Sequence, residues 1–238
     1  MSLSRSALEE RVDAEASGPA APVRAQLLAT QHSSLLAARG MTWSEVMSRI
    51  TVHLTVSSAA LVVLALVTQA TGFGSAFHVL SIGLTSAILV LGTLTGLRVH
   101  NASREDAAFI VGMNRLRAAY VTLDPGIAEY LVTSQHGDQA GLMATYTRGM
   151  RRSTASHVLG STSMFINIVN AIVAGTLGAL IADASTSDLV ATALTGVVTG
   201  VGYLAVIIEV ERRAFAIIPL DPRFPTPGHE GSKGGGQR

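Results

Sequence analysis

"ITVHLTVSSAALVVLALVTQATGFGSAFHVLSIGLTSAILVLGTLTGL", residues 50–97, runs for 48 residues without one aspartate, glutamate, lysine or arginine. A soluble stretch of that length carries about a dozen charges at ordinary composition. An α-helix rises 1.5 Å per residue, so about 20 apolar residues cross the roughly 30 Å of bilayer hydrocarbon. The stretch holds two such lengths, Ile50 to Val67 and Ala76 to Leu97, joined by the short link "TQATGFGS". Farther on, Val158 to Ala182 and Leu189 to Ile208 repeat the pattern around "DASTSD", and none of the four contains a charge or a proline. The expected fold is an all-α membrane protein with four transmembrane helices arranged as two hairpins.

The rest of the chain agrees. Charged residues are 14% of the 238, mean hydropathy is +0.42, and 48% of residues are apolar. Cysteine is absent, which excludes disulfides, thiolate zinc sites and thiol nucleophiles. A net charge of +1 gives no bulk argument for nucleic acid. Arginine outnumbers lysine sixteen to one, a bias of GC-rich bacterial coding. Of the seventeen basic residues, five precede the first span, seven lie between Arg98 and Arg152, and five follow the fourth span. Neither short link has any. The positive-inside rule therefore places both termini and the middle segment in the cytoplasm, N-in and C-in, in a bacterial plasma membrane.

Residues 1–22 show no signal-peptide h-region and read as a disordered tail. Residues 23–49 read as cytoplasmic and interfacial helices. The first would stop at Gly40, and "TWSE" would then form a capping box between Thr42 and Glu45. Trp43 would anchor the next turn at headgroup level. Residues 50–97 form the first transmembrane hairpin, 98–157 a cytoplasmic helical insert, and 158–208 the second hairpin. Residues 209–238 are a cytoplasmic tail, disordered from about 219, where proline and glycine concentrate.

In the insert, Phe109, Met113, Leu116, Tyr120 and Leu123 recur at +4, +3, +4, +3, the spacing of a packed helical seam. The second span should therefore continue as one helix to a stop at Asp124-Pro125-Gly126. Arg115 and Arg117 flank the seam; with Asp124 they are the candidate binding residues at the inner membrane face. A short apolar helix, a turn and a returning helix should follow, the last capped by Asp138, with Leu142, Tyr146 and Met150 on its buried side and Arg151-Arg152 at the interface. His136 and Asp138 have no third ligand at convincing spacing, so neither a metal nor a cofactor is expected.

These residues carry a resemblance. Met113-Asn114-Arg115-Leu116-Arg117-x-x-Tyr120, Pro125, Tyr130 and the His136-x-Asp138 turn, with "ATQHSSLLAARGMTWSE" (29–45) and "TQATGFG" (68–74), resemble an uncharacterised family of bacterial four-helix integral membrane proteins. The resemblance covers roughly residues 25–215. It implies the fold and no activity. The family pattern has two adjacent aspartates after the histidine, and here Gly137 stands at the first.

Each span carries a stripe of small or hydroxylated residues, and two hold a GxxxG, Gly92–Gly96 and Gly196–Gly200. Asn167 and Asn170 lie one turn apart in the third stripe. Such stripes either pack helices or line water. Intramembrane carboxylates and prolines are absent from the spans, and His53 and His78 lie near span ends, where they are expected to face headgroups. No P-loop, dinucleotide fingerprint, G-x-S-x-G or H-E-x-x-H occurs, so an enzyme is not expected. The leading reading is an interaction or scaffold protein whose cytoplasmic helices self-associate or bind a partner. An oligomeric ion-conducting pore and a lipid-headgroup-binding or lipid-active protein remain as alternatives. The partners expected are the lipid bilayer and other copies of the chain.

Overall fold

The structure, a computed structural model, describes residues 21–147, 161–186 and 188–215. Their regular structure is helical: α1 Ala21–Thr71, α2 Ser75–Leu123, a 3-10 turn Pro125–Tyr130, α3 Gln139–Thr147, α4 Thr162–Thr186 and α5 Leu189–Phe215. Four of these, α1, α2, α4 and α5, are long and apolar enough to cross a membrane. The N-terminal tail before residue 21, Met150, Arg151-Arg152, the start of the third expected span, and the C-terminal tail lie outside the described residues.

Two expectations about α1 change. The helix runs unbroken through Gly40 and Thr42, so the chain neither stops nor caps there. The Glu45 carboxylate is taken by guanidinium groups instead: Arg49 Nε donates at 2.9 Å and Arg98 Nη2 at 2.8 Å. Trp43 is half-buried, and its indole N–H donates to Asp106 at 2.8 Å. Local stop signals worth about 1 kcal/mol yield to charge-assisted bonds and to packing against a neighbouring helix. At 51 residues, α1 is about 76 Å long, more than twice the hydrocarbon thickness, so much of it stands outside any bilayer it crosses. The 49-residue α2 shares that property.

The link between α1 and α2 is tight. Gly72 adopts φ 65°, the left-handed conformation that favours glycine, and its N–H donates to the Thr68 carbonyl at 2.9 Å. α2 ends at Leu123, where Pro125 opens the 3-10 turn; Asp124 caps that turn by accepting from the Gly126 N–H at 2.9 Å. α3 begins at the expected cap, with the Gly141 N–H donating to Asp138 Oδ1 at 2.7 Å.

The chain forms two compact units. Among the described residues, the first comprises 21–38 with 108–147, and the second comprises 39–107 with 161–186 and 188–215. In the second unit one face of α2 is buried at Ser81, Thr85, Ile88, Gly92, Thr95, Val99, Ala102 and Asp106. These alternate at +4 and +3, a continuous heptad seam. Val46, Ile50, His53 and Ala60 are the buried positions of α1. Val46, Ile50, Val99, Ala102 and Ile166 form an apolar cluster, with Trp43 and Leu54 packed against it. α4 and α5 meet backbone to backbone, Gly175 against Gly196 and Gly200, and Gly200 against Ala171.

Candidate functional site

In the first unit the polar centre is Asn114, fully buried on α2. Its amide nitrogen donates to the His136 carbonyl at 2.8 Å and the Gly141 carbonyl at 3.3 Å. Its amide oxygen accepts from Arg117 Nη1 at 2.7 Å and from Thr145 Oγ1 at 3.1 Å. One side chain thus ties α2 to the turn and to α3. The three candidate binding residues have separate assignments. Arg117 is bonded to Asn114, Arg115 lies along Gly137, and Asp124 caps the 3-10 turn. His136 contributes its carbonyl and Asp138 its cap. Among the described residues, no three His, Cys, Asp or Glu side chains group to hold a metal ion.

Also in this unit, His32 of α1 stacks on Tyr120 of α2, ring centroids 6.0 Å apart, and Leu35 packs against Gly112. Burial lowers the His32 imidazole from its usual range, and the Arg117 charge adds to the shift. Another stripe of α1 is exposed along its length: Val23, Leu27, Thr30, Ser34 and Ala37. They recur at +4, +3, +4, +3, the spacing of a coiled-coil seam, and none is charged.

The second unit holds a polar group that crosses several helices. Asn167 and Asn170 of α4 are 1% and 0% exposed, and His53 of α1 is 0% exposed. The Asn167 amide nitrogen donates to Glu211 Oε1 of α5 at 3.0 Å, and Ser163 Oγ donates to the same oxygen at 2.8 Å. His100 Nδ1 of α2 lies 3.9 Å from that oxygen. Burial lowers the His100 imidazole from its usual range; the Glu211 carboxylate opposes the shift and Arg104 adds to it. Among the described residues, neither ring nitrogen of His53, neither amide atom of Asn170, nor Asn167 Oδ1 has a hydrogen-bond partner.

Glycines make room for this group. A Cβ on Gly92 would stand 2.0 Å from Asn170 Oδ1 and 2.7 Å from His53 Cε1. On Gly96 it would stand 3.4 Å from Asn167 Oδ1 and 3.6 Å from Asn170 Nδ2. The Gly92–Gly96 pair therefore seats two amide side chains rather than another backbone.

The expectation that His53 faces headgroups is overturned: it occupies the helix interior. Its position was readable, because 46, 50, 53 and 60 continue one heptad seam of α1. His78 does not stand free either; its Nε2 lies 2.9 Å from Asp183 Oδ2. Glu211 and His100 carried no such signal, since both lie just beyond the spans and meet only in the folded chain. Comparison with family models, with curated proteins and with solved structures finds no match for this chain.

Proposed function

We propose that the chain is a four-span protein of a bacterial plasma membrane, its spans paired as two hairpins, with both termini and the segment between α2 and α4 in the cytoplasm. Its role is that of an interaction protein, and the partner at its N-terminal helix is a second copy of the chain. One observation carries this reading. The exposed stripe Val23, Leu27, Thr30, Ser34, Ala37 has coiled-coil spacing and no charge, on a part of α1 that its length carries beyond the hydrocarbon. A stripe without charge is self-complementary, as an isologous two-fold contact requires. Exposed Val23 and Leu27, at 50% and 60%, are the apolar positions such a contact would cover.

Burial of Asn167 and Asn170 within a single chain weighs against their lining a pore between copies. Cross-linking tests the interaction reading, and the cysteine-free chain makes it clean. Leu27→Cys should form disulfide-linked dimers in native membranes, and Ala25→Cys, exposed on the side of the helix away from the stripe, should not. Leu27→Glu should leave the protein monomeric by native mass spectrometry. A wild-type protein that is monomeric in lipid nanodiscs, with equal cross-linking at both cysteines, would overturn the reading.

A further inference from the structure

We propose that His53, together with Asn170, Asn167 and Glu211, forms a proton-binding site inside the second unit. The first argument is waste. An apolar side chain of similar size would fill the same space, whereas His53 is fully buried with both ring nitrogens unpartnered among the described residues. Most buried polar groups are hydrogen-bonded, so a buried ring with neither nitrogen bonded calls for a specific explanation, and a bound ligand is one. The second argument is proximity. A Cβ on Gly92 would meet both Asn170 Oδ1 and His53 Cε1, so the amide oxygen and the ring converge on one small space.

The third argument is charge. A proton from hydronium forms an N–H bond at the free ring lone pair of His53 and leaves water behind. The imidazolium then has two N–H groups, and the Asn170 carbonyl oxygen, unbonded beside the ring, is an acceptor for one. Glu211 brings a negative charge to the same cluster, its carboxylate accepting from the Asn167 amide. The Glu211 side chain is 18% exposed, so it connects the buried group to its surroundings. Among the described residues, His100 of α2 lies near the carboxylate, Arg104 acts on His100, and Ser163 of α4 donates to the same oxygen. A carboxylate in the same cluster lowers the cost of charging the ring in a low-dielectric interior, and the Arg104 charge opposes it.

The test is a histidine NMR titration of the full chain, ring-nitrogen labelled, in lipid nanodiscs, with the His53 signal assigned by its loss in His53→Gln. His53 should convert from neutral ring to imidazolium within the pH range where the protein stays folded. Glu211→Gln should lower its proton affinity by about tenfold or more, one unit in midpoint. Asn170→Leu should also lower it, by removing the acceptor. Glu209→Gln, which changes a carboxylate already held by Arg212 and Arg213 on the same helix, should leave it unchanged. A His53 ring that stays neutral throughout, in wild-type protein, overturns the proposal. So does an equal shift for the Glu211 and Glu209 variants, which would mean bulk charge rather than a site.

Discussion

The second unit uses the same four-letter spacing twice, for opposite purposes. Gly196 and Gly200 of α5 admit a backbone: a Cβ on Gly200 would stand 2.9 Å from the Ala171 carbonyl oxygen and 3.5 Å from Gly175 Cα. Gly92 and Gly96 of α2 admit side chains, the amides of Asn170 and Asn167. A GxxxG motif records that something comes close, and its partner decides what. Where the partner is backbone, the glycine sets the distance between two helices. Where the partner is an amide, the glycine makes a socket for a polar group.

The two cases separate under substitution. Gly200→Ala has the larger effect, about 2–3 kcal/mol of lost stability, because a carbonyl oxygen cannot swing aside and the helices must part. Removing a neighbouring side chain should not restore it. Gly92→Ala should cost somewhat less, about 1–2 kcal/mol, since the obstacles are the ends of two side chains, Asn170 and His53. Here Asn170→Ala should rescue part of the loss, the His53 contact remaining, with a double-mutant coupling of about 0.5–1 kcal/mol. Unfolding in detergent measures all four proteins; additivity of Gly92→Ala and Asn170→Ala would break the contrast.

Asn170 itself sharpens it. Asn170→Leu puts a branched chain into the Gly92 socket and should lose about 1–3 kcal/mol, whereas Asn170→Ala relieves the contact and should lose less. Equal stability of the two variants would show that the socket is not filled as described.

The smallest effect concerns pH. Arg98 and Arg49 hold the Glu45 carboxylate near 2, below its usual 4.5. A depressed carboxylate stabilises the fold above its unfolded value, and that stability is lost as pH falls through its folded value. Acidification from pH 5 to 3 should therefore remove only part of this contribution. Being exposed, the group should also lose influence in high salt. Glu45→Gln should flatten that acid limb slightly, read as the midpoint of unfolding against pH, and leave the difference between the two glycine variants untouched.

What the sequence disclosed follows from the range of the forces involved. Lipid crossing depends on composition over twenty residues, so the charge-free runs marked all four long helices. Turn chemistry is local too: the end of α2 beside Asp124-Pro125 and the Asp138 cap were readable from a few neighbouring residues. Gly40 and "TWSE" misled because Arg98, 53 residues from Glu45, supplies the competing bond. Asn167 and Asn170 stood out as amides among apolar residues. Their partner Glu211 did not, since it lies 44 residues from Asn167 and only folding joins them.

The seam on α2 has a geometric consequence for chain length. Positions 81 to 106 keep a strict seven-residue repeat, while a straight α-helix drifts by about 20° per seven residues. Keeping those side chains inward over the whole run favours a left-handed winding of the helix. Phase then becomes a conserved quantity of the molecule. Inserting one residue near Ile88 would turn everything beyond it by about 100°, swinging Gly92 and Asp106 off the buried face together. Inserting seven would nearly restore the phase and merely lengthen the helix. Length along α2 is thus permitted in steps of seven, a rule that holds whatever the inserted residues are.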